Sequence, residues 1–149
     1  AREVNDSMPS YMAGLLEDAF REKDIPLDGA VVTVLGLSYK GNILDTRESP
    51  AIPLIRILRE KGLTVRVCDP VVEPVDASLV PLAKAFDGSD AVLLVTDHNV
   101  FRTLDYKRIG KKMRNRIMID GRNFYGRKAM ESLGFAYRGV GKVYRKKEQ

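Results

Sequence analysis

The sequence has one cysteine, one histidine and no tryptophan among its 149 residues. The single cysteine, Cys68, excludes an internal disulfide, and no His/Cys cluster has the spacing of a metal site. No apolar run approaches the roughly 20 residues that span a bilayer. The opening AREVNDSMPS has no apolar signal-peptide core, so a cytoplasmic protein with no membrane partner is expected. Charge of one sign is not in large excess either. The 25 basic and 20 acidic residues leave a net +5, which favours an anionic partner only in a general way. Much of that excess lies in Lys142, Arg145, Lys146 and Lys147. No aromatic-studded motif accompanies them, so a solvated tail is expected and nucleic-acid binding ranks last.

What is present centres on Ala30–Pro50, AVVTVLGLSYKGNILDTRESP. Val31 to Leu35 form an apolar, β-branched run of the kind found in a strand buried on both faces of a parallel sheet. A polar loop follows Gly36, and Ser49-Pro50 opens an amphipathic helix carrying Ala51, Leu54, Ile55 and Leu58 on one face. Before this unit, Met12, Leu15, Leu16, Ala19 and Phe20 recur at helical spacing, and the stripe calls for a partner helix. After it, the pattern predicts strands at Thr64–Cys68, Ala91–Thr96, Ile117–Asp120 and Phe135–Arg138, with a short edge strand near Ser78–Val80. Helices are expected at Leu82–Phe86, Val100–Arg108 and Lys128–Leu133. This rhythm means an α/β domain with a mainly parallel sheet of five or six strands, helices on both faces and a helix in front.

Ligands of such a sheet bind beyond the carboxyl ends of the strands. Those ends are Gly36–Arg47, Asp69, Thr96–Asn99 and Asp120–Asn123, all on one edge. Lys40, Arg47 and Arg122 are therefore expected to converge on one anion. Lys40 supplies a point charge and Arg122 a planar fork suited to phosphate; Tyr39 offers a ring to a base. Arg47 can equally pair with Asp45 or Glu48. Gly36, Gly41 and Gly121 would let the backbone approach closely. The loop is neither a dinucleotide fingerprint, because Ser38 stands where a glycine is needed, nor a Walker loop, because Lys40 precedes Gly41. Without those glycines, Asp69 reads as a turn residue rather than a ribose-binding acid. Cys68 reads as a small buried hydrophobe, and His98 as a surface loop residue.

These residues carry a resemblance. G-L-S-Y-K-G-N-x-x-D-T-R-E-S-P, then V-x-V-C-D-P, G-S-D-A-V-L-L-V-T-D-H, F-R-T-L-D-Y and I-D-G-R-N resemble, in order and spacing, the C-terminal domain of the UDP-glucose/GDP-mannose dehydrogenase family. The resemblance implies a Rossmann-like, doubly wound unit at 29–149, with residues 1–28 as the end of the family's central helical segment. It implies that Tyr39, Lys40 and Arg122, with Arg47 either touching ligand or bracing the loop, hold the UDP part of a nucleotide sugar. The family oxidises the C6 alcohol of such a sugar to a carboxylate with NAD. Neither the NAD-binding domain nor the catalytic-cysteine segment of the family is found in this sequence, so the chain alone is expected to be inactive. The implied partners are a UDP-sugar, or a GDP-sugar, the family's other domains and further copies in a homo-oligomer. A purely structural assembly module is the alternative.

Overall fold

The structure, a computed structural model, describes residues 2–37, 49–72 and 79–140, with side chains from Ser7 onward. Within those bounds helices and strands alternate: α1 (Arg2–Glu22), β1 (Val31–Leu35), α2 (Ala51–Glu60), β2 (Thr64–Cys68), a 3-10 turn (Leu82–Lys84), β3 (Ala91–Leu94), α3 (Asn99–Arg102), α4 (Tyr106–Lys112), β4 (Ile117–Asp120), α5 (Arg127–Ser132) and β5 (Ala136–Gly139). The strands form one parallel sheet in the order β2-β1-β3-β4-β5. The chain leaves β1 toward one edge and returns past it to β3, so the winding reverses between β1 and β3. In open α/β sheets that reversal opens a crevice at the carboxyl edge.

The strands are short because each is a run of residues that only a doubly covered sheet can bury. Every residue of β3 and β4 is buried, as are the last four of β1. Alternate side chains point to opposite faces and feed two cores. On one face, Val32, Val34, Leu93 and Ile119 meet Met12, Leu16 and Phe20 of α1 and Leu54 and Leu58 of α2. On the other, Leu35, Val92, Leu94 and Met118 meet Phe101, Tyr106, Ile109 and Met130. The partner that the α1 stripe calls for lies within the chain: α1 packs on α2 and on β4. At the start of α2, Ser49 Oγ accepts from the Ala51 N–H at 3.1 Å, and Pro50 already has helical dihedrals.

Two elements depart most from the sequence expectation. The helix expected over Val100–Arg108 is two helices, because Asp105 accepts from the Arg108 N–H (3.1 Å) and starts a new one. That restart turns Tyr106 inward, where its hydroxyl donates to the Phe101 carbonyl at 2.9 Å. α1 carries Pro9, buried inside it, which leaves one helical hydrogen bond unmade. The expected edge strand reduces to a single parallel bridge, Leu79 to Val67, so the sheet has five strands among the described residues. Among these residues, no helix is long and apolar enough to cross a membrane, and no cluster of His, Cys, Asp or Glu could hold a metal.

Candidate functional site

The register brings four strand ends to one level: Leu35 lies beside Cys68 and Leu94, and Leu94 beside Asp120. The turns that follow these residues form a rim. Gly36 makes the rim compact. Its φ is +104°, and a Cβ there would fall 2.4 Å from that of Thr96, so the end of β1 lies directly against the end of β3. Gly121 is equally hemmed in. A Cβ would sit 2.6 Å from the Leu94 carbonyl oxygen and 2.8 Å from the terminal carbons and sulfur of Met12 in α1. Both glycines thus serve the close fit of chain against chain.

The loop after β4 is built by Asp120. This carboxylate is fully buried, and four donors surround it. Oδ1 accepts from the Arg122 N–H (3.0 Å); Oδ2 accepts from the Phe124 and Tyr125 N–H groups (2.7 and 2.8 Å) and from the Tyr137 hydroxyl (2.7 Å). A buried charge is tolerable only when its lone pairs are met in this way. Asn123 takes the left-handed conformation, φ +52°, which asparagine tolerates better than most residues. The result is a tight turn that sets the backbone of Arg122 on the rim and leaves its side chain outward. The guanidinium is 37% exposed and faces the Asp97 carboxylate, itself 34% exposed, at 3.6 Å. That is an ion pair without hydrogen-bond geometry, and a pair so exposed contributes little to stability.

The second carboxylate, Asp69, works across strands. Its Oδ2 accepts from the Leu37 N–H after β1 (2.6 Å), and Oδ1 from the Val71 and Val72 N–H groups (3.0 and 3.2 Å). His98 Nε2, after β3, lies 2.9 and 3.1 Å from the two oxygens. Burial alone would raise the Asp69 pKa. The bonds from Leu37, His98 and Val71 outweigh it and hold the carboxyl below its ordinary value. The group is therefore an acceptor only, and Nε2 carries the proton. The reading of Asp69 as a turn residue captures the bonds to Val71 and Val72 but not the other two. The reading of His98 as a surface residue is corrected: it is fully buried against Asp69 and Phe101. Cys68 is fully buried, and burial together with the neighbouring Asp69 charge pushes its thiol up to about 12. It is a packing residue, as its apolar setting in the sequence implies.

Of the residues expected to grip an anion, Arg122 stands on the rim as described. Tyr39, Lys40 and Arg47 lie outside the described residues, as do Gly41, Asp45, Glu48 and the basic tail. Asp97 enters the site as the partner of Arg122, a role the sequence reading did not give it. The available signal was an acid three residues beyond the end of a fully buried strand.

A family model described as the UDP binding domain of the UDP-glucose/GDP-mannose dehydrogenase family matches residues 33–127. Over 142 residues the chain is 41% identical to a UDP-N-acetyl-D-mannosamine dehydrogenase of Pyrococcus horikoshii, covering 95% of this chain and 32% of that protein. A UDP-glucose 6-dehydrogenase of Pseudomonas aeruginosa is 35% identical over 127 residues, 76% of this chain and 28% of that one. Among solved structures, the NDP-N-acetyl-D-galactosaminuronic acid dehydrogenase of Methanosarcina mazei superposes with a TM-score of 0.87 at 27% identity, over 95% of this chain and 30% of that chain. The chain thus spans about a third of the length of the curated relatives it matches. Strand order, rim turns and the match through D-G-R lead to one conclusion: the chain belongs to the UDP-glucose/GDP-mannose dehydrogenase family and carries its UDP-binding domain.

Proposed function

We propose that this chain holds the nucleotide sugar of an NAD-dependent dehydrogenase that oxidises the C6 alcohol of a UDP-sugar to a uronate. The observation that carries the reading is Arg122, a cation on a turn fixed by Asp120, exposed at the carboxyl rim of a parallel sheet beside the winding reversal. A guanidinium so placed can meet a diphosphate with two parallel hydrogen bonds. On this reading Lys40 would add a second charge to the same diphosphate, Tyr39 would offer its ring to the base, and Arg47 would either touch the ligand or brace the loop. Residues 1–28 are then the end of a connecting helical segment, and 29–149 the UDP-holding unit. The remaining domains of the enzyme and further copies of it are its protein partners.

NAD, which accepts hydride from the alcohol carbon in such enzymes, does not fit this rim. The acid at the end of β2 that would hold an adenosine ribose is Asp69, and its oxygens are already taken by Leu37, Val71, Val72 and His98. The β1 loop also lacks the glycine spacing for a dinucleotide. Oxidation therefore belongs to another domain, and the work of this one is to bind and orient.

Calorimetric titration of the chain with UDP and with UDP-sugars tests the reading. A dissociation constant on the order of 10⁻⁴ M is expected, weakened at least ~10-fold in R122A by loss of a charge-assisted contact. No heat at millimolar ligand with the domain folded, or an unchanged constant in R122A, overturns it. The assembly-module alternative draws on Tyr11 of α1 and Ile52 of α2, both nearly half exposed. It predicts no heat with UDP from the folded chain, while polar replacements at these two positions change the association state.

A further inference from the structure

The Arg122–Asp97 pair supports a second assignment, one that rests on Arg122 being the diphosphate anchor. Asp97 lies between two fully buried side chains, Thr96 and His98. His98 is held by Asp69, and Thr96 is packed against the Gly36 backbone. The Asp97 backbone is clamped on both sides, so its carboxylate stays on the rim. Among the described residues, Arg122 is pinned at its backbone, and its guanidinium stands on a long, jointed stem. Of the two, the arginine turns to meet a ligand. An anion that takes Arg122 then sits beside a stationary negative charge, and like charges a few ångströms apart repel even on a partly wet rim.

We propose that Asp97 determines specificity by accepting the ribose hydroxyls of a nucleoside diphosphate, so that the same carboxylate that repels the phosphates rewards the sugar attached to them. Ribose is joined directly to the first phosphate, which brings its 2′ and 3′ hydroxyls within reach of a carboxylate next to the phosphate anchor. A hydrogen bond to an ionised oxygen is among the stronger neutral-to-charged contacts and offsets the repulsion. A diphosphate without those donors meets only the repulsion.

The test compares UDP with 2′,3′-dideoxyuridine diphosphate on the wild-type chain, D97A and R122A. Wild type is expected to prefer UDP by about tenfold, the size of one hydrogen bond to a charged group. In D97A the preference is expected to fall below about threefold, because the dideoxy ligand binds more tightly and UDP less so. Asp97 is a half-exposed rim residue, so D97A is expected to keep the wild-type melting temperature, which a thermal scan confirms alongside. Equal affinity of wild type for the two ligands, or an equal preference in wild type and D97A, overturns the assignment. R122A should weaken both ligands alike. If it weakens neither, the anchor reading fails, and that outcome is separate from the loss or survival of the hydroxyl preference at Asp97.

Discussion

Asp69 and Asp120 stand at the carboxyl ends of β2 and β4, are both buried, and both gather backbone N–H groups, yet they do different work. Asp120 folds its own loop: three of its donors are Arg122, Phe124 and Tyr125 N–H groups, and the fourth is the phenol of Tyr137 on the next strand. Asp69 bonds its own turn at Val71 and Val72, then reaches to the end of β1 and, through His98, to the end of β3. One carboxylate shapes the turn that presents a cation. The other ties three neighbouring turns into a platform. The difference teaches how a parallel sheet makes a firm site from turns: one acid acts within its loop and one acts between loops.

The comparison can be broken most severely at Asp120. D120A leaves buried N–H groups without an acceptor and is expected to lose about 4 kcal/mol or more, enough to unfold a marginal domain; urea denaturation reads it. D69A is expected to lose about 3 kcal/mol in the same measurement, since the N–H groups it leaves at Leu37 and Val71 are only part-buried and can find water, while that of Val72 is buried. Acid sharpens the contrast. The Asp69 carboxyl is held below its ordinary 3.8, so its contribution is fully present above that value and is lost as pH falls through the lower native one. Wild type should therefore lose stability on acidification more steeply than D69N in that window. If the two slopes are the same, the carboxylate is not ionised as described.

Two smaller effects separate folding from binding. Y137F removes the hydroxyl that donates to Asp120 and is expected to lower stability by about 1 kcal/mol, since the other three donors remain. R122A is expected to change stability by less than about 0.5 kcal/mol, because its ion pair among the described residues is exposed and long. A large loss in R122A would mean that the side chain braces the loop rather than waits for a ligand.

The same contrast explains what could be read from the sequence. β1, β3 and β4 are legible because runs such as Ala91–Leu94 can be buried only between two helical layers. The loop after β4 is legible too: D-G-R-N holds its organising acid, its close-approach glycine and its left-handed asparagine within four positions. The Asp69–His98 contact is not legible, because it joins residues 29 positions apart through the strand order. A lone histidine carries no mark of the carboxylate it will meet. The split at Asp105 is hard to read for a nearer reason: the apolar spacing of Val100, Phe101 and Leu104 suits one helix, and only the capping acid reveals two.

The contact between Gly121 and Met12 has a mechanical consequence. The arginine turn has no slack behind it, because the space where it could recoil is filled by a thioether from the first helix. A ligand that meets the guanidinium, as proposed, would find a turn that cannot retreat.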